Sequence, residues 1–272
     1  RNLPSSLPSA ISHSFLATSF LSFFNDKISK LCFSLPAVNN ISPHFTSSSP
    51  PPSFSSFAPA TSTEVRCAVL SSSNASCSLD PIPTFLLKSC LDSLTHPITT
   101  IINLALAEGS FPSAFKSAIL HPLLKKSTLP KDDLSSYRPV SNLSFFSKLL
   151  ERIILSRLLA HLDSFPSISP YQSAFRKLHS AETALLRVQN DLLLSCNNQK
   201  VSALVLLDLS AAFDTIDHSI LLERLSSTFG ISGTALTLLS SYLFNRTQSV
   251  TIGNESSAHS PLLTGVPQGS VL

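Results

Sequence analysis

The sequence has little charge and no methionine, and each shortage limits what the protein can be. Charged residues make up 13% of the 272 residues, against about 25% in an average globular domain. The net charge of +3 is too small to indicate nucleic-acid binding by composition alone. Because even position 1 is not methionine, we expect the chain to begin inside a longer reading frame.

The sequence also lacks cysteine pairs suited to a metal site and lacks long apolar runs. Its five cysteines are widely spaced, and a disulfide framework is not expected in a chain of this size. We therefore expect reduced thiols and an intracellular protein. The apolar stretch Phe15–Phe24 is too short to cross a bilayer, which takes about 20 residues, so no membrane contact is expected.

Three segments differ in composition. Residues 1–33 have apolar side chains at helical spacing, which predicts a helix over Phe15–Leu31 upstream of the main domain. Residues 34–66 contain the run SSSPPPSFSSFAPATST, and this serine- and proline-rich composition predicts a disordered linker. Because 43% of the chain is hydrophobic, a sizeable core is possible, and ordered structure is predicted over residues 67–272.

Residues 67–272 show both helical and strand patterns, which predicts an α/β (α+β) fold. Helices are predicted over Thr84–Leu94, Pro97–Glu108, Leu143–Leu162, Ala181–Leu194, His218–Phe229 and Thr234–Phe244. Strands are predicted over Ser117–Leu124, Ala203–Leu207 and Gln248–Ile252. Because Pro122 cannot donate a ladder hydrogen bond, the first strand is expected at a sheet edge, or to end there.

Asp208 stands where the continuous apolar run Ala203–Leu207 ends. Such a run predicts a strand buried on both faces. A carboxylate at the carboxyl end of that strand lies where open α/β sheets bind ligands, and it suits a hard cation such as Mg²⁺. Spacing alone leaves an alternative open, in which Asp208 only caps the turn after the strand.

Four stretches together resemble one protein family. LLDLSAAFDTIDH, residues 206–218, is similar to the first catalytic motif of reverse transcriptases from LINE-type (non-LTR) retrotransposons. GVPQGSVL, residues 265–272, resembles the second motif, SYRPVSNLSFFSKLLER the fingers motif, and YQSAFRKLHSAETALLR the segment after it. The resemblance implies a partial right-hand polymerase fold, with fingers over about 67–200 and the start of an incomplete palm over about 201–272.

The resemblance also implies roles for individual residues. Asp208 would be the catalytic carboxylate and, with the backbone carbonyl of Leu209, a ligand of Mg²⁺; the intact family enzyme holds two such ions, and this chain at most one partial site. The residues implied to contact the nucleotide are Lys125, Lys126, Arg138, Phe213, Gln268 and Gly269. Those implied to contact the template are Arg176, Lys177 and Gly265. The implied partners are an RNA template, a DNA primer and deoxynucleoside triphosphates, in the cytoplasm and nucleus; no protein partner is indicated.

The basic residues fit contact with phosphate, although a simpler explanation exists for some of them. Residues 115–157 carry eight basic and three acidic side chains, so the basic excess is concentrated in the implied fingers, as phosphate contact requires. A solvated helix face explains Lys148, Arg152 and Arg157 without any ligand. A surface loop explains Arg176 and Lys177 equally well.

Three residues near the first motif have alternative roles. The resemblance makes Phe213 a steric gate that rejects a 2′-hydroxyl, whereas the residue type alone is equally consistent with a core phenylalanine. Asp214 and Asp217 are interpreted as turn and cap residues rather than as metal ligands.

The second carboxylate motif of these polymerases, Tyr/Phe-x-Asp-Asp, does not occur in the 272 residues. Polymerases hold two metal ions with carboxylates from two separate parts of the chain. Loss of one of these carboxylate sets should lower the rate of nucleotide incorporation by a factor of about a thousand or more. We therefore expect that the chain alone does not polymerise DNA. The alternative interpretation is a non-catalytic nucleic-acid-binding remnant of a decayed element.

Overall fold

Eight α-helices and five β-strands occur in the part of the chain that the structure describes, residues 7–8, 12–34, 50–165, 168–209 and 211–272. The structure is a computed structural model. The helices are α1 (His13–Ser34), α2 (Ser62–Leu70), α3 (Thr84–Ser89), α4 (Leu91–Glu108), α5 (Phe145–Asp163), α6 (Ala181–Asn197), α7 (His218–Ser227) and α8 (Gly233–Leu243). The strands are β1 (Ser117–Leu124), β2 (Tyr137–Leu143), β3 (Arg246–Ile252), β4 (Glu255–Ser256) and β5 (Ser260–Leu262). The α+β class is thus confirmed.

The sheet mixes parallel and antiparallel pairs. Strand β1 lies between β2, to which it is antiparallel, and β3, to which it is parallel. Strands β4 and β5 both pair antiparallel with β3. Strand β1 pairs with β3 only over residues 117–120, so Pro122 lies beyond that pairing and faces Pro139 of β2. The strand is confirmed, but its expected place at a sheet edge, or its end at Pro122, is wrong, since β1 lies between two strands and continues to Leu124. Pro122 is tolerated because it occupies a half of β1 that pairs on one side alone.

Two apolar clusters hold the fold together. The larger cluster joins α2, α4, α5 and α8, with fully buried residues such as Val65, Ile154 and Leu238. The smaller one packs α1 on the sheet, where Phe20 contacts Tyr137 edge to face with ring centroids 5.0 Å apart. The upstream helix predicted from its apolar spacing is therefore present, and it shares a core with the sheet.

The predicted disordered linker is wrong for its second half, residues 50–66. Phe57 and Ala60 lie in the larger cluster, and α2 begins at Ser62. Arg157 of α5 fastens this segment by donating to the carbonyl of Ala58 at 2.6 Å and to both carboxylate oxygens of Glu64 at 2.8 and 2.9 Å. The prediction from composition failed because a few apolar side chains are enough to order a serine- and proline-rich segment when neighbouring helices cover them. Residues 35–49 of the predicted linker lie outside the described residues.

The buried strand predicted over Ala203–Leu207 is also wrong. Residues 201–209 form no strand, and Leu206 and Leu207 are 84% and 91% exposed. A strand needs a partner for its backbone groups, and an apolar run does not supply one. Helix α6, which ends at Asn197, likewise has no buried residue among those described.

Smaller differences concern the helices. The predicted break at Pro97 does not occur, since α4 runs through that proline from Leu91. Glu151 of α5 is an ionisable residue, yet its side chain is fully buried. Helix α6 begins at Ala181, as predicted, with Ser180 as its N-cap, and Asp217 caps α7, as predicted. No helix of the described residues is long and apolar enough to cross a membrane.

Candidate functional site

Residues 264–272 form a turn, here called the terminal turn, that two glycines bring close to neighbouring backbone. Gly265 has φ +75°, and a Cβ there would lie 2.6 Å from backbone atoms of Phe213 and Asp214. Gly269 has φ +129°, and a Cβ there would lie 2.5 Å from the carbonyl oxygen of Ser141. Both positions therefore require glycine, for conformation and for space.

The terminal turn is bonded first to residues 211–217, the loop before α7, and to His218, the first residue of that helix. The amide of Gly265 donates to the carbonyl of Ile216 at 2.8 Å, and the amide of Val266 donates to that of Phe213 at 3.0 Å. The buried ring of His218 donates from Nε2 to the carbonyl of Gly265 at 2.7 Å. Because a carbonyl only accepts, this bond fixes the proton on Nε2.

Asp214 ties the side chain of Gln268 to the same loop. The Gln268 amide nitrogen donates to both carboxylate oxygens of Asp214, each at 2.7 Å. Burial raises the pKa of Asp214, and the hydrogen bonds from Gln268 and the charge of Lys27 partly oppose that rise. Gln268 is thus held by a carboxylate whose charged form is disfavoured by its surroundings.

The backbone of the terminal turn also completes one sheet edge. Strand β2 is the last strand on its side of the sheet. The amide of Ser141 in β2 donates to the carbonyl of Gln268 at 2.8 Å. The terminal turn therefore lies between β2, which is part of the implied fingers motif, and the loop that follows Asp208.

A third contact reaches α5. Glu151 accepts from the amide of Val271 at 2.6 Å and from the hydroxyl of Ser147 at 2.9 Å. Burial raises the pKa of Glu151, while these hydrogen bonds and the charge of Arg246 lower it. Two nitrogens of the buried Arg246, Nε and Nη2, have no hydrogen-bond partner in the described part of the chain, and burial lowers the pKa of Arg246.

A cavity of about 220 Å³ opens beside the terminal turn, between α1 and the sheet. Asp214, Gln268 and Lys27 line it with polar groups, and Pro139 and Val266 supply apolar walls. The terminal turn therefore faces a space that can admit part of a small molecule.

The predicted metal ligands lie in an exposed segment. Asp208 is exposed, and one of its carboxylate oxygens accepts from the amide of Leu209 at 2.9 Å. No group of three histidine, cysteine, aspartate or glutamate side chains able to hold a metal occurs among the residues described. Metal binding by Asp208 and Leu209 stays a prediction.

The three cations predicted to contact the nucleotide lie near one end of the β1–β2 pair. Lys125 and Lys126 directly follow β1, and Arg138 is opposite Leu123. All three are exposed; the ammonium of Lys125 donates to the carbonyl of Ser135 at 2.7 Å. The structure thus places these three residues near the same end of the β1–β2 pair.

The predicted gate residue, Phe213, contacts a residue next to the predicted template contacts Arg176 and Lys177. Phe213 is 52% exposed, and its ring meets Phe175 edge to face with centroids 6.1 Å apart. Arg176 follows Phe175 and donates to the carbonyl of Ser169 at 3.3 Å, while Lys177 is exposed. Phe213 is therefore not a core residue in this fold.

Sequence reasoning missed three contributors to the site: Glu151, His218 and Arg246. His218 had a signal, since it closes the stretch that resembles the first motif. Glu151 likewise lies in the stretch that resembles the fingers motif, but nothing in that stretch says what it contacts. Arg246 had no signal, because its role depends on contacts formed only when distant parts of the chain pack together.

Comparison with known proteins matches the chain to reverse transcriptases. A family model described as reverse transcriptase (RNA-dependent DNA polymerase) matches residues 125–272, more than half of the chain. Over 181 residues, 66% of this chain, it is 36% identical to the RNA-directed DNA polymerase from mobile element jockey of Drosophila melanogaster. The corresponding protein of Drosophila funebris is 35% identical over 64% of the chain. The probable RNA-directed DNA polymerase from transposon BS of Drosophila melanogaster is 31% identical over 65%. The chain spans only about a fifth of the length of these relatives, 19%, 19% and 20% respectively.

Proposed function

The chain belongs to the reverse transcriptase (RNA-dependent DNA polymerase) family, as a domain of the non-LTR retrotransposon type, and we propose that it supplies the surface that binds the incoming nucleotide and template. The supporting observation is the terminal turn. Gln268 of that turn, the loop after Asp208 and the strand that bears Arg138 are joined by hydrogen bonds. Phosphates would bind Lys125, Lys126 and Arg138, because exposed cations that lie near the same end of a strand pair attract polyanions.

The family carries out nucleotidyl transfer, which generally needs divalent metal ions, with RNA or DNA and deoxynucleoside triphosphates as substrates. The residues present here do not fit a complete metal site. Asp208 is one exposed carboxylate, and the described residues hold no cluster of three metal-ligating side chains. We therefore assign no catalytic step to magnesium in this chain and propose nucleotide and template binding without incorporation.

Binding of dTTP by the 272-residue chain tests this proposal. Replacing Lys125 and Lys126 together by alanine is expected to weaken dTTP binding about tenfold or more, because each lysine removed takes away a charge-assisted contact with phosphate. The matched control is the double variant Lys30→Ala, Lys200→Ala, which removes the same charge from two exposed sites elsewhere and should bind as the wild type does.

The same preparations are assayed for primer extension on an RNA template, which we expect to be absent. Two results contradict the proposal: a wild-type chain that does not bind dTTP, or equal weakening in both double variants, which would mean that only net charge matters. Extension of the primer would show that the proposed restriction to binding is wrong.

A further inference from the structure

Glu151 is an ionisable side chain with no exposed surface, located in the first half of α5. Burying a carboxylate is costly unless hydrogen bonds or an opposite charge compensate it. A glutamate in such a place therefore calls for partners of matching chemistry.

Its partners come from two different parts of the chain. On one oxygen, Ser147 of the same helix donates at 2.9 Å. On the other oxygen, the amide of Val271 donates at 2.6 Å, across 120 positions of sequence. The amide of Leu272 and the positive charge of Arg246 also favour the ionised carboxylate.

The contact with Val271 fixes the end of the terminal turn. Val271 lies three residues after Gln268 and two after Gly269. The start of the turn is held by His218 and the loop before α7. Near Gln268 the turn is also restrained by Asp214 and by the edge of β2, and Leu272 packs against the larger apolar cluster. The bond from the Val271 amide adds a directional contact at the far end of the turn.

We propose that Glu151 is a positioning residue, which sets the place of Gln268 and Gly269 by holding the amide of Val271 against α5. The inference rests on the proposed function, since the place of Gln268 affects ligand binding only if the terminal turn contacts the nucleotide. Glu151 itself is buried and contacts no substrate.

A merely structural glutamate would have a different signature. Loss of a core residue loosens the whole cluster around α5, including Ile153 and Ile154. Loss of a positioning contact loosens the terminal turn first. Local hydrogen exchange therefore separates the two roles.

The experiment measures hydrogen exchange in the 272-residue chain for the wild type, Glu151→Gln, Glu151→Asp and the control Glu223→Gln, an exposed glutamate of α7. In the wild type, the Val271 amide should be protected from exchange. An exposed amide without a hydrogen-bond partner would exchange freely. In Glu151→Gln, amides of residues 269–272 should exchange about tenfold faster or more, since glutamine offers one neutral acceptor oxygen in place of the two carboxylate oxygens that accept from Ser147 and Val271. Those of α5 should change little. Glu151→Asp, which keeps the charge but shortens the reach, should show the same local change, and Glu223→Gln none.

Each outcome of these measurements supports or overturns the positioning role of Glu151. An unprotected Val271 amide in the wild type overturns the proposal even if neither variant folds. Uniformly faster exchange through α5 in folded variants also overturns it, because it indicates a structural role alone. Binding of dTTP then separates this inference from the proposed function. If the wild type does not bind, the proposed function fails; if wild type and Glu151→Gln bind equally, the positioning role fails.

Discussion

At the scale of single residues, the environment of Asp214 decides how the terminal turn responds to pH. The carboxylate accepts two hydrogen bonds from the Gln268 amide at 2.7 Å each, yet burial still raises its pKa. Since the folded pKa lies above the ordinary value of 3.8, the folded chain binds more protons at this group than the unfolded chain does. Ionisation of Asp214 therefore destabilises the folded state as pH rises above that value.

Replacing Asp214 by asparagine should remove this dependence. Asparagine keeps an acceptor for Gln268 but cannot ionise. We compare the free energy of unfolding of the wild type with that of Asp214→Asn. The wild-type value minus the variant value should fall as pH rises from about 3.8, and it should become constant above the pKa of Asp214 in the folded state. Urea titrations from acid to neutral pH measure this difference, with Asp163→Asn at the exposed end of α5 as the control. A difference that does not vary with pH would contradict the assignment.

At the scale of elements, local signals predicted the helices well. Helix α6 begins at the predicted Ala181 and Asp217 caps α7 as predicted, because a capping side chain acts on amides within three positions. Strand β1 was predicted with its observed bounds. The site was predictable only in part, since the motif residues identified the terminal turn, whereas Glu151 and Val271 meet across 120 positions. No local pattern contains such a pairing.

The run Ala203–Leu207 failed as a strand prediction for the same reason, because its stability depends on a partner rather than on its own residues. It therefore contributes little to folding. Leu207→Ser should change the free energy of unfolding by less than about 0.5 kcal/mol, since Leu207 is 91% exposed. In contrast, Leu150→Ala at a site with 1% exposure should cost about 2–5 kcal/mol.

Denaturant unfolding of both variants checks this contrast. A loss at Leu207 as large as that at Leu150 would mean that the run is buried in solution. In that case the exposed arrangement of residues 201–209 would be wrong.

At the scale of the whole molecule, α1 and the sheet form one unit. The apolar spacing of residues 15–31 predicts which face of the helix is buried, but it does not say what covers that face. The structure places Leu16, Phe20 and Phe24 in one cluster with Leu120 and Val250 of the sheet. Folding of the sheet should therefore depend on α1, although the sequence suggested a separate upstream segment.

Phe20→Ala tests this dependence. Phe20 is fully buried and stacks on Phe24 with centroids 5.7 Å apart, so its loss should cost about 3–5 kcal/mol. Phe15→Ala on the same helix, at a site with 64% exposure, should change the stability by less than about 0.5 kcal/mol. Thermal unfolding is followed by far-ultraviolet circular dichroism and by tyrosine absorbance, with Tyr171 and Tyr242 replaced by phenylalanine in every chain compared so that the absorbance reports Tyr137. Phe20→Ala should show one lowered transition, since Tyr137 belongs to the same cluster. If the tyrosine transition stays at its wild-type temperature while helical signal is lost earlier, α1 folds separately from the sheet. The cavity beside the terminal turn would then have a wall that can detach, because residues of α1 line it.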